Sequence, residues 1–191
     1  MNNRPRALDL GVKIGILEHG EKNSITDVEN VSVGHVTLIE GDGKLKIGSG
    51  PIRTGVTAIL PHQGNIFEKK VTGSVHVLNG FGKAIGFLQV FELGVIESPI
   101  VLTNTLNSWT VADALVDYTT TETKGVFSFN PIVGECNDSF LNDIIGRHVK
   151  SSHVISAIKN AKLDSIDEGP IGAGTGMTGF GWKGGLGTSS R

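Results

Sequence analysis

The apolar positions of this chain fall into short runs. Val31–Ile39 (VSVGHVTLI) is rich in β-branched residues and predicts a strand, and Gly41-Asp42-Gly43-Lys44 reads as the turn after it. Ile52–Leu60 (IRTGVTAIL) predicts a second strand, stopped by Pro61, and Val71–Leu78 a third. Over Phe81–Leu93 the period changes to that of a helix, with Phe81, Ile85, Leu88 and Phe91 on one face and Gly94 as its stop. A short strand at Ile100–Thr103 follows Pro99. A helix over Ser108–Thr119 takes Ser108 as its N-cap. Val126–Val133 returns to strand. A last helix, capped by Ser151 or Ser152, runs to Lys162 with Val154, Ile155 and Ile158 on one side. Early strands that look antiparallel, mixed with helices, favour helices packed on sheets over a doubly wound parallel sheet.

The end of the chain breaks this rhythm. Gly169–Gly187 holds nine glycines in nineteen residues. Such a stretch usually signals a flexible linker. Met177, Phe180 and Trp182, however, alternate with its small residues and predict an ordered, buried strand. Glycine lets one backbone pass close to another. The expectation is that Arg191 is not a natural free terminus and that this segment packs against a further piece.

Composition narrows the class. The 191 residues are 38% hydrophobic and suit one domain, and the formal charge of −2 is spread along the chain. No basic patch points to nucleic acid or to a membrane surface. No apolar run approaches the ~18 residues of a membrane span, and MNNRPRALDLG lacks the apolar core of a signal peptide. The expectation is a cytoplasmic protein. Cys136 is the single cysteine, so no intrachain disulfide forms.

Several chemistries fit poorly. Gly172, Gly174 and Gly176 follow a G-x-G-x-G spacing with no phosphate-loop Lys-Ser/Thr after them. The histidines at 19, 35, 62, 76, 148 and 153 show no metal-binding spacing, and Cys136, Glu135 and Asp138 alone define no cation site. No metal and no cofactor are expected. No G-x-S-x-G elbow is present, and Thr188, Ser189 and Ser190 read as structural. Four asparagines stand out: Asn104 and Asn107 in LTNTLNSW, and Asn130 and Asn137 in FNPIVGECND. Each sits where an asparagine caps a turn, and equally where a side-chain amide polarises a carbonyl as an oxyanion donor.

Six segments together resemble a known family. They are NSITDVENVSVGHVTL (Asn23 to Leu38), RTGVTAILP (Arg53 to Pro61), VLNGFGK (Val77 to Lys83), LTNTLN (Leu102 to Asn107), VGECND (Val133 to Asp138), and GAGTGM followed by KGGLGTSSR. Their order is that of the self-processing aminopeptidases of the DmpA type, which include D-aminopeptidases and β-peptidyl aminopeptidases. The resemblance runs from about Leu8 to Arg191. It implies an α+β fold, a four-layer αββα sandwich shared with ornithine acetyltransferase. It also implies a precursor that cuts itself once, so that the new N-terminal serine of a downstream β chain becomes the nucleophile. Chain 1–191 is then a single-domain portion of the α subunit, completed by that β chain, with αβ pairs assembling into larger oligomers. The nucleophile is expected beyond Arg191, and Pro170 departs from the residue many relatives carry.

Under this resemblance the chain supplies oxyanion or positioning candidates, Asn104, Asn107, Asn130 and Asn137. For a peptide or amide substrate it supplies Trp109, Tyr118 and Glu135, since an aminopeptidase must read a free ammonium with a carboxylate, an aromatic face or an amide oxygen. Tyr118 reads equally as packing and Glu135 as an ordinary ion pair. Acyl transfer of the ornithine-acetyltransferase kind and a non-catalytic scaffold are the competing readings. Preference among D-, L- and β-amino acyl groups is not written in the sequence, because pocket shape sets it.

Overall fold

The computed structural model describes residues 5–164 and 166–191. The strands are β1 (Ser32–Glu40), β2 (Ile52–Leu60), β3 (Val71–Thr72), β4 (Val95–Ile96), β5 (Ile100–Asn104), β6 (Ile132–Cys136), β7 (Thr178–Gly179) and β8 (Trp182–Lys183). The α-helices are α1 (Phe87–Leu93), α2 (Ser108–Glu122) and α3 (Ser151–Lys159). The main sheet has the order β1-β2-β5-β6. β1 and β2 pair antiparallel from Ser32 opposite Leu60 to Glu40 opposite Ile52. β2 and β5 are also antiparallel, whereas β5 and β6 run parallel.

Strand alternation gives the sheet two unlike faces. Val56 and Ala58 of β2, Val101 of β5 and Val133 of β6 point to one side. There they meet Val111, Ala114 and Leu115 of α2 and Val154, Ala157 and Ile158 of α3, all buried. This is the hydrophobic core. The opposite face carries His35 and Thr37 of β1 and Gly55, Thr57 and Ile59 of β2. It is crossed by the glycine-rich segment, whose Gly172 and Ala173 amides donate to the Thr37 and Thr57 hydroxyls at 2.8 and 3.1 Å. A Cβ on Gly55 would collide with the Gly172 carbonyl, so the two backbones pass with no side chain between them. Beside this crossing lies an apolar hollow of about 210 Å³, lined by Ile25, Val33, Ile59, Leu102, Ile166 and Leu186.

Residues 187–191 meet residues 23–27 and Arg6 at the rim of this hollow. The Ser190 hydroxyl donates to Asp27 at 2.6 Å, the Ile25 amide donates to the Thr188 hydroxyl at 2.8 Å, and Arg191 donates to the Asn23 side chain at 2.7 Å. Arg6 joins them through Glu168 at 2.9 Å and the Thr188 carbonyl at 2.6 Å. Among the described residues no helix is long and apolar enough to cross a membrane.

Several elements differ from expectation. The helix expected over Phe81–Leu93 begins only at Phe87, because Gly86 takes φ +81°, where a Cβ would collide with the Pro131 carbonyl. Its buried side chain is Val90, while Phe81, Leu88 and Phe91 are exposed. The strand expected over Val71–Leu78 ends at Thr72, where its partner β4 is two residues long. The strand expected over Val126–Val133 starts at Ile132 and runs on to Cys136. Upstream, Pro131 has no N–H to give a ladder, and the Asn130 amide is taken by Glu97 at 2.9 Å. Ser108 and Ser151 are first helical residues rather than caps; Asn107 and Lys150 precede them. In the glycine-rich run Met177 is buried as expected, but Phe180 and Trp182 sit exposed on the β7–β8 hairpin.

Two outcomes follow from this packing. Gly55→Ala forces the crossing segment off the sheet and costs about 1–3 kcal/mol, read by denaturant unfolding. The Ser190 hydroxyl, with the Lys22 and Ser24 amides, lowers Asp27 from its ordinary 3.8 to about 2. Its contribution is complete above the higher of those values and lost as pH falls through the lower. Melting curves of Asp27→Asn and the parent therefore differ at pH 5 and converge as pH falls toward about 2.

Candidate active site

Parallel pairing of β5 and β6 brings their C-terminal ends side by side, with Thr103 opposite Glu135 and Asn104 opposite Cys136. The chain leaves β5 through a 3₁₀ turn, Thr105–Asn107, and enters α2 directly. Asn104 caps that turn: its Oδ1 accepts from the Asn107 amide at 3.1 Å. Its Nδ2 donates to Thr54 Oγ1 at 2.8 Å and to Asn107 Oδ1 at 3.1 Å. Asn107 Nδ2 donates in turn to the Val149 carbonyl at 2.9 Å. Both asparagines are fully buried, so the amides form the floor of this end of the sheet.

Above the floor stands Glu135. One carboxylate oxygen accepts from the Lys83 amide at 2.8 Å, and the other from the Thr105 hydroxyl. The Lys83 bond ties the loop Asn79–Lys83 to the strand ends. Within it Asn79 accepts from the Phe81 amide at 3.1 Å, and the Lys83 ammonium lies 4.4 Å from the centre of the exposed Phe81 ring. Glu135 is half-buried and makes no ion pair among the described residues. Next along β6, the Cys136 side chain is exposed, and partial desolvation, then the Glu135 carboxylate, push its thiol up. Asp138 is buried, accepts from Asn142 Nδ2 at 3.0 Å, and leaves Oδ2 without a partner; burial raises its pKa although the Thr54 hydroxyl beside it pulls the other way. Among the described residues no group of three metal-ligating side chains comes together.

Comparison with known proteins fits these motifs and this geometry. The profile of peptidase family S58 matches residues 23–191. This chain belongs to peptidase family S58. It is 43% identical over 187 residues to the β-peptidyl aminopeptidase BapA of Sphingosinicella microcystinivorans, covering 98% of this chain and 47% of that protein. It thus spans about half the length of the curated relatives it matches. The PH0078 protein of Pyrococcus horikoshii OT3 superposes with a TM-score of 0.90 at 55% identity, over 94% of this chain and 52% of that one. An L-aminopeptidase D-Ala-esterase/amidase of Ochrobactrum anthropi, described as a variant of the Ntn hydrolase fold, superposes with a TM-score of 0.81 at 34% identity, over 94% of this chain and 51% of that one.

In this S58 chain the expected site residues separate into two groups. Asn104, Asn107, Glu135 and Asn137 gather at the C-terminal ends of β5 and β6, and Trp109, half exposed, stands on the first turn of α2 beside them. Asn137 is exposed; its oxygen accepts from the Ser139 amide at 2.9 Å. Asn130 lies at the opposite end of β6, bound to Glu97. Tyr118 is at that far end too, half-buried with Glu97 around a cavity of about 240 Å³. There burial, then Glu122, push its phenol up. Neither joins the group around Glu135. Both hydrogens of the Asn104 amide are committed within the fold, which removes it as a free oxyanion donor. Thr54, Thr105 and the Lys83 amide complete the site; single hydroxyls and a backbone N–H leave no pattern that sequence inspection would single out.

Glu135→Gln removes the charge and one acceptor oxygen, which weakens the hold on the loop. A hydrogen bond to a charged group is worth about 1.5–3 kcal/mol, so amide exchange at Lys83 rises by about tenfold or more while exchange in β2 is unchanged.

Proposed function

We propose that this chain is the α part of an aminopeptidase or amidase that releases N-terminal residues from peptides or amides. Its nucleophile is the N-terminal serine of a downstream chain made by self-cleavage. The observation that carries this is Glu135: a half-buried carboxylate, held by Thr105 and the Lys83 amide at an open strand end, with no positive partner of its own among the described residues. Such a group suits the ammonium of a substrate whose first residue is to be removed. The names of the BapA relatives and of the Ochrobactrum enzyme point the same way. The incompletely covered second face, with its apolar hollow, is suited to a second sheet, as a four-layer αββα sandwich requires.

The chemistry then divides between chains. The serine hydroxyl attacks the scissile carbonyl, and the serine's own α-amine, with a pKa near ~7.7–8.0, takes the proton. That proton passes to the leaving amine as the C–N bond breaks, and water then cleaves the ester in the same manner. Glu135 holds the substrate ammonium. Asn137, exposed beside it, is the amide best placed to polarise the carbonyl, a contribution of about 2.7–4 kcal/mol. Trp109 offers an aromatic wall.

The test is turnover of aminoacyl p-nitroanilides. Chain 1–191 alone is inactive, and activity appears only with the downstream chain. Glu135→Gln in that assembly raises KM for amine-bearing substrates by about tenfold or more. Turnover by the 191-residue chain, free of any second polypeptide by mass spectrometry, would overturn the proposal.

A further inference from the structure

We infer that Asn104 is a positioning residue for Glu135, acting through the Thr105–Asn107 turn rather than on substrate. This rests on the reading of Glu135 as the ammonium-binding group and extends it to the buried side chains that hold Glu135 in place.

The orientation of the Asn104 amide is forced. The Asn107 backbone N–H can only donate, so the atom facing it at 3.1 Å is the Asn104 oxygen. Nδ2 therefore faces Thr54 Oγ1 at 2.8 Å and Asn107 Oδ1 at 3.1 Å. Thr54 is 1% exposed and sits on β2, beside the Asp138 carboxyl. Asp138 is held by Asn142, whose oxygen accepts from the Arg53 amide at 2.9 Å. A buried polar path thus runs from β2 and the loop after β6, through Thr54, to Asn104. From Asn104 it reaches the turn, since the cap fixes where that turn begins. The residue directly after Asn104 is Thr105, 5% exposed, whose hydroxyl donates to Glu135. Loosening the Asn104 amide lets the turn rotate and takes the Thr105 hydroxyl from the carboxylate. Half of the hydrogen bonding that aims Glu135 then goes, while its Lys83 contact stays.

Thr54→Val tests this in the assembled protein. It keeps the shape of the buried side chain and removes the acceptor for Asn104, along with the hydroxyl beside Asp138. The expected result is a KM about tenfold higher for an aminoacyl p-nitroanilide, with kcat within about threefold. Thr54→Ser, which restores the hydroxyl, returns KM to that of the parent. In a Glu135→Gln background Thr54→Val changes KM less than about twofold, because the two substitutions break one path. An inhibitor lacking the amine binds parent and Thr54→Val alike. The inference is overturned if Thr54→Val leaves KM unchanged, if it raises KM equally in both backgrounds, or if kcat falls as much as kcat/KM. Should Thr54→Val not fold, Thr105→Val cuts the path at its other end, and an unchanged KM in that folded variant overturns the inference as well. Failure of the underlying reading shows separately, as an unchanged KM in Glu135→Gln alone.

Discussion

Buried polar groups must find partners, and this constraint organises the end of the sheet where β5 passes into α2. Asn104 and Asn107 are large polar side chains with almost no exposure, lying where a strand becomes a helix. Left unpaired, each would cost about 1–3 kcal/mol. They are paired with each other, with Thr54 on β2 and with Val149 ahead of α3. Those partners come from distant parts of the chain, so satisfying the amides fixes the relative placement of β2, β5, α2 and α3 at one corner. Parallel pairing then sets β6 beside that corner, and Glu135 rises directly over the turn that Asn104 caps.

The sheet divides its labour between faces. The helix side is closed by close-packed aliphatic side chains, with Val56, Ala58, Val101 and Val133 fully buried. On the other side, polar side chains and glycines allow backbone against backbone at Gly55 and Gly172, and an apolar hollow remains next to them. At the rim of that hollow Asp27 and Asn23 hold Ser190 and Arg191, and Arg6 holds Glu168. One face is closed by the helices, and the other keeps an apolar hollow of about 210 Å³.

Much of this is legible in the sequence where packing has a simple period. β1, β2, β5, α2 and α3 follow their apolar spacing to within a few residues. The failures have local causes. Gly86 adopts a left-handed conformation inside an otherwise helical apolar pattern, and Pro131 with Glu97 removes the ladder donors that a strand over Val126–Pro131 needs. For the site, LTNTLN and VGECND mark the two strand ends, but strand direction is what sorts the asparagines. Asn130 and Asn137 are neighbours in sequence and lie at opposite ends of β6. Tyr118, on the same helix as Trp109, falls at the far end with Asn130. Thr54 and Thr105 escape notice because a single hydroxyl becomes informative only when a distant amide or carboxylate is seen to need it.

In the proposed function Glu135, aimed by Thr105 and the Lys83 amide, receives a substrate ammonium. A crystal structure of the assembled protein with a non-cleavable primary-amine substrate analogue tests it most directly. The ammonium is expected within about 3 Å of the Glu135 carboxylate, with the Thr105 and Lys83 contacts intact. An ammonium bound elsewhere, such as in the Glu97 cavity at the other end of the sheet, with Glu135 untouched, would contradict it.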